Sequence, residues 1–155
     1  MIGEPVGAID TPALVVDLDA MERNLATMAA FARERGLRLR PHAKTHKSAW
    51  LAARQIELGA VGVCVQKTSE AEALARAGVT DIFITNEVVD PAKLARVAAL
   101  SRDIKLAIAV DSPLGIERLG AAGADVDVFV EIDVGHARCG AAPHDAASLA
   151  HAVQS

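Results

Sequence analysis

Apolar runs with strand character recur along this chain at an almost constant interval. They begin near Leu37 (LRLRP), Ala60 (AVGVCV), Asp81 (DIFIT), Ile104 (IKLAIAV) and Asp127 (DVFVEIDV), at separations of 23, 21, 23 and 23 residues. Between them lie Ala-, Leu- and Arg-rich segments with helical periodicity and their own stop and start signals. In "TSEAEALARAG", Thr68 or Ser69 is placed to cap and Gly78 to terminate; "PAKLARVAALSR" opens on Pro91, and "SPLGIERLGAAG" has Ser112 as cap with Pro113 behind it. Strands alternating with helices in this way predict successive β/α units, whose strands run parallel. Ahead of them, "TPALVVDLDAMERNLATMAAFARERG" predicts one more strand near Ala13 to Val16 and a long helix capped by Asp17 or Asp19.

Evenly spaced β/α units suit an open doubly wound sheet or part of a closed barrel. No GxGxxG or GxxxxGK[ST] follows any strand, so neither phosphate-binding fingerprint supports the doubly wound sheet. The expected fold is therefore α/β, with parallel (β/α) units forming part of a TIM-type (β/α)8 barrel. A whole barrel needs eight strands and about 250 residues. This chain has 155 and ends inside a helix that begins near Pro143, so the barrel is expected to be incomplete over residues 1–155. A net charge of −4 argues against general affinity for nucleic acid or an anionic membrane, and 3% aromatic content with no tyrosine leaves no stacking platform for bases. No apolar run of membrane-spanning length appears, and Cys64 and Cys139 show no CxxC spacing. They are read as small apolar fillers, and a reducing, cytoplasmic setting as the default.

Barrel strands bury one face against helices and turn the other into the lumen. In the run from Arg38 to Lys47, "RLRPHAKTHK", Leu37 and Leu39 suit the helix side, which leaves Arg38, Arg40, His42 and Lys44 in one row for the lumen or its mouth. In the Asp127 strand, Val128, Val130 and Ile132 suit the helix side, leaving Phe129, Glu131 and Asp133 inside. Opposite charges facing one cavity predict an ion pair between Arg40 and either Glu131 or Asp133.

Barrel enzymes carry their chemistry at the C-terminal ends of the strands. The candidates there are His42, Lys44 and His46; Gln66 and Lys67; Thr85, Asn86 and Glu87; Asp111; and the stretch "DVGHARCG" with Arg138. Lys44 stands at a strand end among other cations, where a neutral amine would be free to attack a carbonyl and form a Schiff base. The alternative for each single residue is plainer: Lys44 and Lys47 solvated, His42 and His46 satisfied by the backbone. His42 and His46 are four apart, but Pro41 and the strand end make the segment extended or turning, so no metal site is expected within this chain.

"IDTPALVVDLDAMERN", "LRPHAKTHK" and "VEIDVGHARCG" resemble, in order and spacing, the N-terminal barrel segment of fold-type III pyridoxal-phosphate (PLP) enzymes. The resemblance runs over nearly the whole chain, and the branch is the one containing D-threonine aldolase, 3-hydroxy-D-aspartate aldolase and eukaryotic-type D-serine dehydratase. It implies that Lys44 holds PLP as the Schiff-base lysine, and that Arg138, the arginine of "DxGxxRxG", reaches the cofactor's phenolic oxygen. It further implies that Gln66 and Asn86 line the cofactor pocket. It places the last barrel strands, the loops holding the PLP phosphate, a C-terminal β-domain and the ligands of a divalent metal outside this chain.

The implied activity is that of a PLP-dependent lyase in the full-length form. It would cleave β-hydroxy-D-amino acids of the D-threonine or 3-hydroxy-D-aspartate type to glycine and an aldehyde or glyoxylate. The alternatives are a D-serine dehydratase-type lyase, a non-catalytic PLP-carrier barrel and a cofactor-free scaffold. The expected partners are a small D-amino acid and a second copy in a homodimer, with weak or no PLP binding by the 155 residues alone.

Overall fold

The computed structural model describes residues 4–154. Helix α1 (Leu18–Glu34) comes first, then α2 (Ala49–Glu57), and from there strands and helices alternate. The order is β1 (Val63–Val65), α3 (Thr68–Arg76), β2 (Asp81–Glu87), α4 (Pro91–Leu100), β3 (Lys105–Val110), α5 (Pro113–Ala121), β4 (Asp127–Val130) and α6 (Ala146–Gln154). Short 3-10 turns cover Val6–Ala8 and Pro143–Asp145.

All pairings are parallel, and the strand order is β1-β2-β3-β4. Each strand thus lies beside its predecessor. A doubly wound sheet reverses its order at a switch point, whereas a barrel wall progresses in one direction. The described residues form four neighbouring strands of such a wall and do not close it.

The local signals largely do what their chemistry requires. Asp17 accepts from the Ala20 N–H at 2.9 Å, Asp90 from Lys93 at 2.9 Å with Pro91 behind it, and Ser112 from Gly115 at 3.3 Å. Helix α3 differs from expectation. Its N-cap is Lys67, and neither Thr68 nor Ser69 caps it; Glu70 Oε2 reaches back to the N–H groups of Gln66 and Lys67 at 3.0 and 3.1 Å. A carboxylate one turn in does the work expected of a hydroxyl, because the N-terminal end of a helix favours negative charge.

Two expected strands also differ. Residues 13–16 are exposed and form no strand, with Leu14 94% exposed. The run starting at Leu37 is extended, without a regular strand of its own, and Pro41 can donate nothing to a ladder. It still lies along β1: Val61 N–H donates to Leu39 O at 2.9 Å, Cys64 N–H to Pro41 O at 2.7 Å and Ala43 N–H to Cys64 O at 2.7 Å.

The core lies between sheet and helices. Ile82 and Ile84 of β2, Val63 and Val65 of β1, and Leu106 and Ile108 of β3 pack with Leu74, Leu94, Val97 and Leu119 from α3, α4 and α5. Each such side chain contributes about 1.5–3 kcal/mol of burial. The opposite parity faces the lumen: Asp81, Phe83, Thr85 and Glu87 on β2, Phe129 on β4 and Glu131 just beyond it.

Arg40 supplies the clearest correction. It pairs with neither Glu131 nor Asp133, which stand past the upper end of β4; its Nη1 lies 2.7 Å from Asp81 Oδ1 at the lower end of β2. To get there the side chain passes over Gly62, just ahead of β1. A Cβ at Gly62 would overlap the Asp81 carbonyl and stand 2.5 Å from Arg40 Nη1. Arg38, expected in the same row, is exposed. Replacing Arg40 with leucine strands a half-buried Asp81 carboxylate and is expected to lower stability by about 1–2 kcal/mol. Urea unfolding checks it, and Arg40→Leu combined with Asp81→Leu should recover part of the loss.

Candidate active site

Three side chains from the segment beside β1 climb one face of the lumen. Arg40 sits at the floor with Asp81. His42 comes next: its Nε2 lies 3.1 Å from Thr85 Oγ1, which donates its own proton to Val65 O at 3.1 Å. A hydroxyl has one proton, so Thr85 accepts from His42, which fixes the Nε2–H tautomer. Nδ1 is then the acceptor facing the Lys44 N–H at 3.4 Å. Burial, with the Lys44 charge second, pushes the His42 pKa down, so the ring is neutral at neutral pH. Lys44 is uppermost, and its Nζ donates to Gln66 Oε1 at 3.3 Å.

The space in front of Lys44 is a cavity of about 390 Å3 lined by His42, Lys44, Gln66, Phe83, Thr85, Ala109, Phe129, Glu131 and Arg138. Phe83 and Phe129 touch with ring centroids 4.5 Å apart, and Phe129 stays 52% exposed because no further wall covers it. Of the strand-end candidates, His42, Lys44, Gln66, Thr85 and Arg138 meet in this cavity. Asn86 does not line it; it lines a neighbouring cavity that shares Gln66 and includes Thr68, Lys93 and Arg96. His46 also lies apart, its Nδ1 accepting from Ser48 N–H at 3.0 Å, and Lys47 Nζ lies 3.4 Å from Glu70. The plainer reading of these two holds only in part: the backbone satisfies Nδ1 of His46 but leaves its buried Nε2 without a hydrogen-bond partner among the described residues, and Lys47 is paired with Glu70 and not simply solvated.

Arg138 arrives on a built loop. Asp133 Oδ1 accepts from the N–H groups of Gly135, His136 and Ala137 at 2.9, 2.8 and 3.0 Å, which holds the Asp133 carboxyl below its usual range. This is the role Asp133 plays instead of partnering Arg40. The loop base is stapled by Asp133 N–H to Ala141 O at 2.9 Å and Ala141 N–H to Glu131 O at 2.8 Å.

Cys139 is not a filler: its Sγ donates to Glu131 Oε1 at 3.0 Å. Donor atoms of Glu87, Glu131 and Cys139 all lie within 4.8 Å of one another. Glu87 reaches this spot because β2 bulges after Ile84, so that Glu87, not Thr85, pairs with Ala109. Burial, then the hydrogen bond with Glu131, pushes the Glu87 carboxyl up to about 7, while the Glu131 carboxyl is held low by the same bond and by Cys139. The pattern DIFITNE carried Glu87 as a strand-end candidate, but its meeting with Glu131 depends on a bulge that alternation does not encode.

The cavity thus combines a primary amine, a guanidinium and a pair of aromatic rings tilted 31° to each other. An amine suits condensation with an aldehyde, and a guanidinium suits an anionic oxygen.

Comparison with known proteins finds relatives that match nearly the whole of this chain. It is 47% identical to a D-threonine aldolase of Arthrobacter sp over 99% of this chain and 41% of the relative. It is 46% identical to a 3-hydroxy-D-aspartate aldolase of Paracoccus denitrificans (strain Pd 1222) over 89% of this chain and 37% of that protein. The crystal structure of D-threonine aldolase from Filomicrobium marinum superposes with a TM-score of 0.93 at 50% identity, covering 97% of this chain and 42% of the other. The chain therefore spans about two fifths of the length of the relatives it matches. Residues 16–155 fit the family model described as "Alanine racemase, N-terminal domain", and with that match over most of its length the chain belongs to the alanine racemase N-terminal domain family.

Proposed function

We propose that residues 1–155 are the PLP-binding barrel segment of a longer lyase that cleaves β-hydroxy-D-amino acids, of the D-threonine or 3-hydroxy-D-aspartate type, to glycine and an aldehyde or glyoxylate. The remaining barrel strands and a β-domain would come from further chain. The observation that carries the reading is the placement of Lys44 Nζ, held at 3.3 Å by Gln66 at the mouth of the lumen in a cavity that also contains Arg138.

The residues present fit PLP. Lys44 would hold its aldehyde carbon covalently, Arg138 would face its phenolic oxygen, and Phe129, still 52% exposed beside Phe83, offers apolar surface for the ring. The family resemblance assigns the phosphate-holding loops and the ligands of a divalent metal to residues beyond this chain. When bound, PLP supplies the electron sink that lets a Cα–Cβ bond break.

The chain's own residues do the rest of the work on this side of the cavity. Gln66 aims the Lys44 amine. His42, neutral and locked by Thr85, packs beneath it without adding positive charge. Arg138 keeps a cation at the opposite side. Asn86 is assigned to the neighbouring cavity, where it could meet the distal part of a substrate. The partners are a small D-amino acid and a second copy in a homodimer, and the proposed location is the cytoplasm; among the described residues no helix is long and apolar enough to cross a membrane.

The full-length enzyme, supplied with PLP and a divalent metal, is expected to release glycine from D-threonine or D-3-hydroxyaspartate. Pyruvate and ammonia from D-serine, with no glycine from either β-hydroxy acid, would replace this reading with a dehydratase.

A further inference from the structure

Glu87 and Glu131 are the two carboxylates crowded beside Arg138, and the reading above gives them no task. Glu87 Oε1 is buried and finds no donor among the described residues. An oxygen of Glu87 and one of Glu131 lie within 4.8 Å of each other, and Glu131 Oε1 already accepts from Cys139 Sγ at 3.0 Å. Two ionised carboxylates this close repel, and a buried carboxylate oxygen with no donor costs free energy unless the group carries a proton. A carboxylic acid on Glu87 donating to a Glu131 carboxylate removes both penalties.

We propose that Glu87 and Glu131 hold one proton between them at neutral pH, and that this pair is a positioning element for Arg138, setting how freely the guanidinium turns toward a ligand in the Lys44 cavity. With one proton, the pair carries a single negative charge against the single positive charge of Arg138. Once the proton leaves to water, two negative charges draw the guanidinium toward the Glu pair and away from the ligand's anionic oxygen. The titratable and charged groups around the pair are Asp111 after β3, Arg138 and Cys139 on the loop, His42 and Lys44 across the lumen, and Lys93 of α4 beside Glu87 in the neighbouring cavity. The raised pKa of Glu87, about 7, agrees with this geometry, and proton loss is then expected as pH rises through neutrality.

The consequence for Arg138 rests on the PLP reading, while the shared proton does not, and the experiment separates them. Difference infrared spectra of the full-length protein without PLP, recorded between about pH 5 and 9, are expected to show a protonated-carboxyl stretch that disappears near neutral pH. Glu87→Gln should lose it, and Glu131→Gln should shift its disappearance to lower pH. In parallel, PLP affinity measured by equilibrium dialysis is expected to fall about tenfold across the same range in the native protein and to stay flat in Glu87→Gln, which keeps a neutral donor beside Glu131.

Circular dichroism of each variant separates a lost proton from a lost fold. No carboxyl band in the native protein overturns the shared proton. A band with an unchanged affinity profile in Glu87→Gln overturns the link to Arg138. Failure of PLP to bind at any pH, with the band present, overturns the cofactor reading and that link together while the shared proton stands.

Discussion

Replacing Lys44 with alanine in the full-length protein is expected to abolish the visible absorbance of bound PLP and to reduce glycine release by at least about a thousandfold. Lys44 is the only primary amine among the residues lining its cavity, and Lys67 and Lys93 line the neighbouring one, so no second lysine is placed to substitute. Lys44→Arg keeps the charge and should lose the band as fully as alanine, because a guanidinium does not condense with the aldehyde. Among the described residues the side chain's hydrogen bond is the one to Gln66. Thermal stability of the metal- and PLP-free variant should therefore stay within about 1 kcal/mol of the parent, separating lost chemistry from lost folding. An undiminished absorbance band in Lys44→Ala would refute the assignment.

Gly140→Ala is expected to be strongly destructive although the residue has no side-chain chemistry of its own. Gly140 has φ +103, and a Cβ there would stand 2.6 Å from Asp133 N and 2.8 Å from Ile132 C. Both obstacles are backbone, so no rotamer change relieves them. The strand-like staple at the loop base must open, and Gly140 N–H would shift from Asp111 Oδ2, now 3.2 Å away. The cost is about 3 kcal/mol or more, with Arg138 carried out of the cavity and PLP affinity lost with it. Gly120→Ala is the control: it lies in α5 with nothing within 4 Å of a new Cβ. It should be neutral or stabilising by up to about 1 kcal/mol. Urea unfolding of both variants checks the pair.

The repeating interval of apolar runs carried the β/α order, the parallel strands and the side of each strand that faces the helices, because period-two burial and helix capping are local physics. Phe129 and Glu131 were legible as lumen residues for the same reason. The segment beside β1 was legible in facing only from Leu39 to Lys44, since Leu37 and Arg38 are exposed, and not in form, since Pro41 breaks a ladder that alternation alone would extend. Arg40 went to the wrong partner because facing says which side a residue occupies and nothing about its height. The height follows from the register of β1 against β2, which pairs Val63 with Ile82 and puts Asp81 at the floor. The meeting of Glu87 with Glu131 depends on the β2 bulge, and Cys139 became a donor because the Asp133 loop folds back on itself; both are tertiary outcomes. Glycine recurs at such places: Gly62 and Gly140 mark where backbone or a long side chain needs the room a Cβ would take.

The gap over Gly62 has a mechanical consequence for the amine above it. Arg40 bolts the lower end of the lysine-bearing segment to β2 and skips the intervening strand, and His42 fastens the same segment to Thr85 part-way up. A backbone pinned at two heights cannot slide along its neighbour, so Lys44 explores the mouth of the lumen through its own side-chain torsions alone. The entropy lost on attaching a ligand there is correspondingly that of one flexible stem and not of a loop.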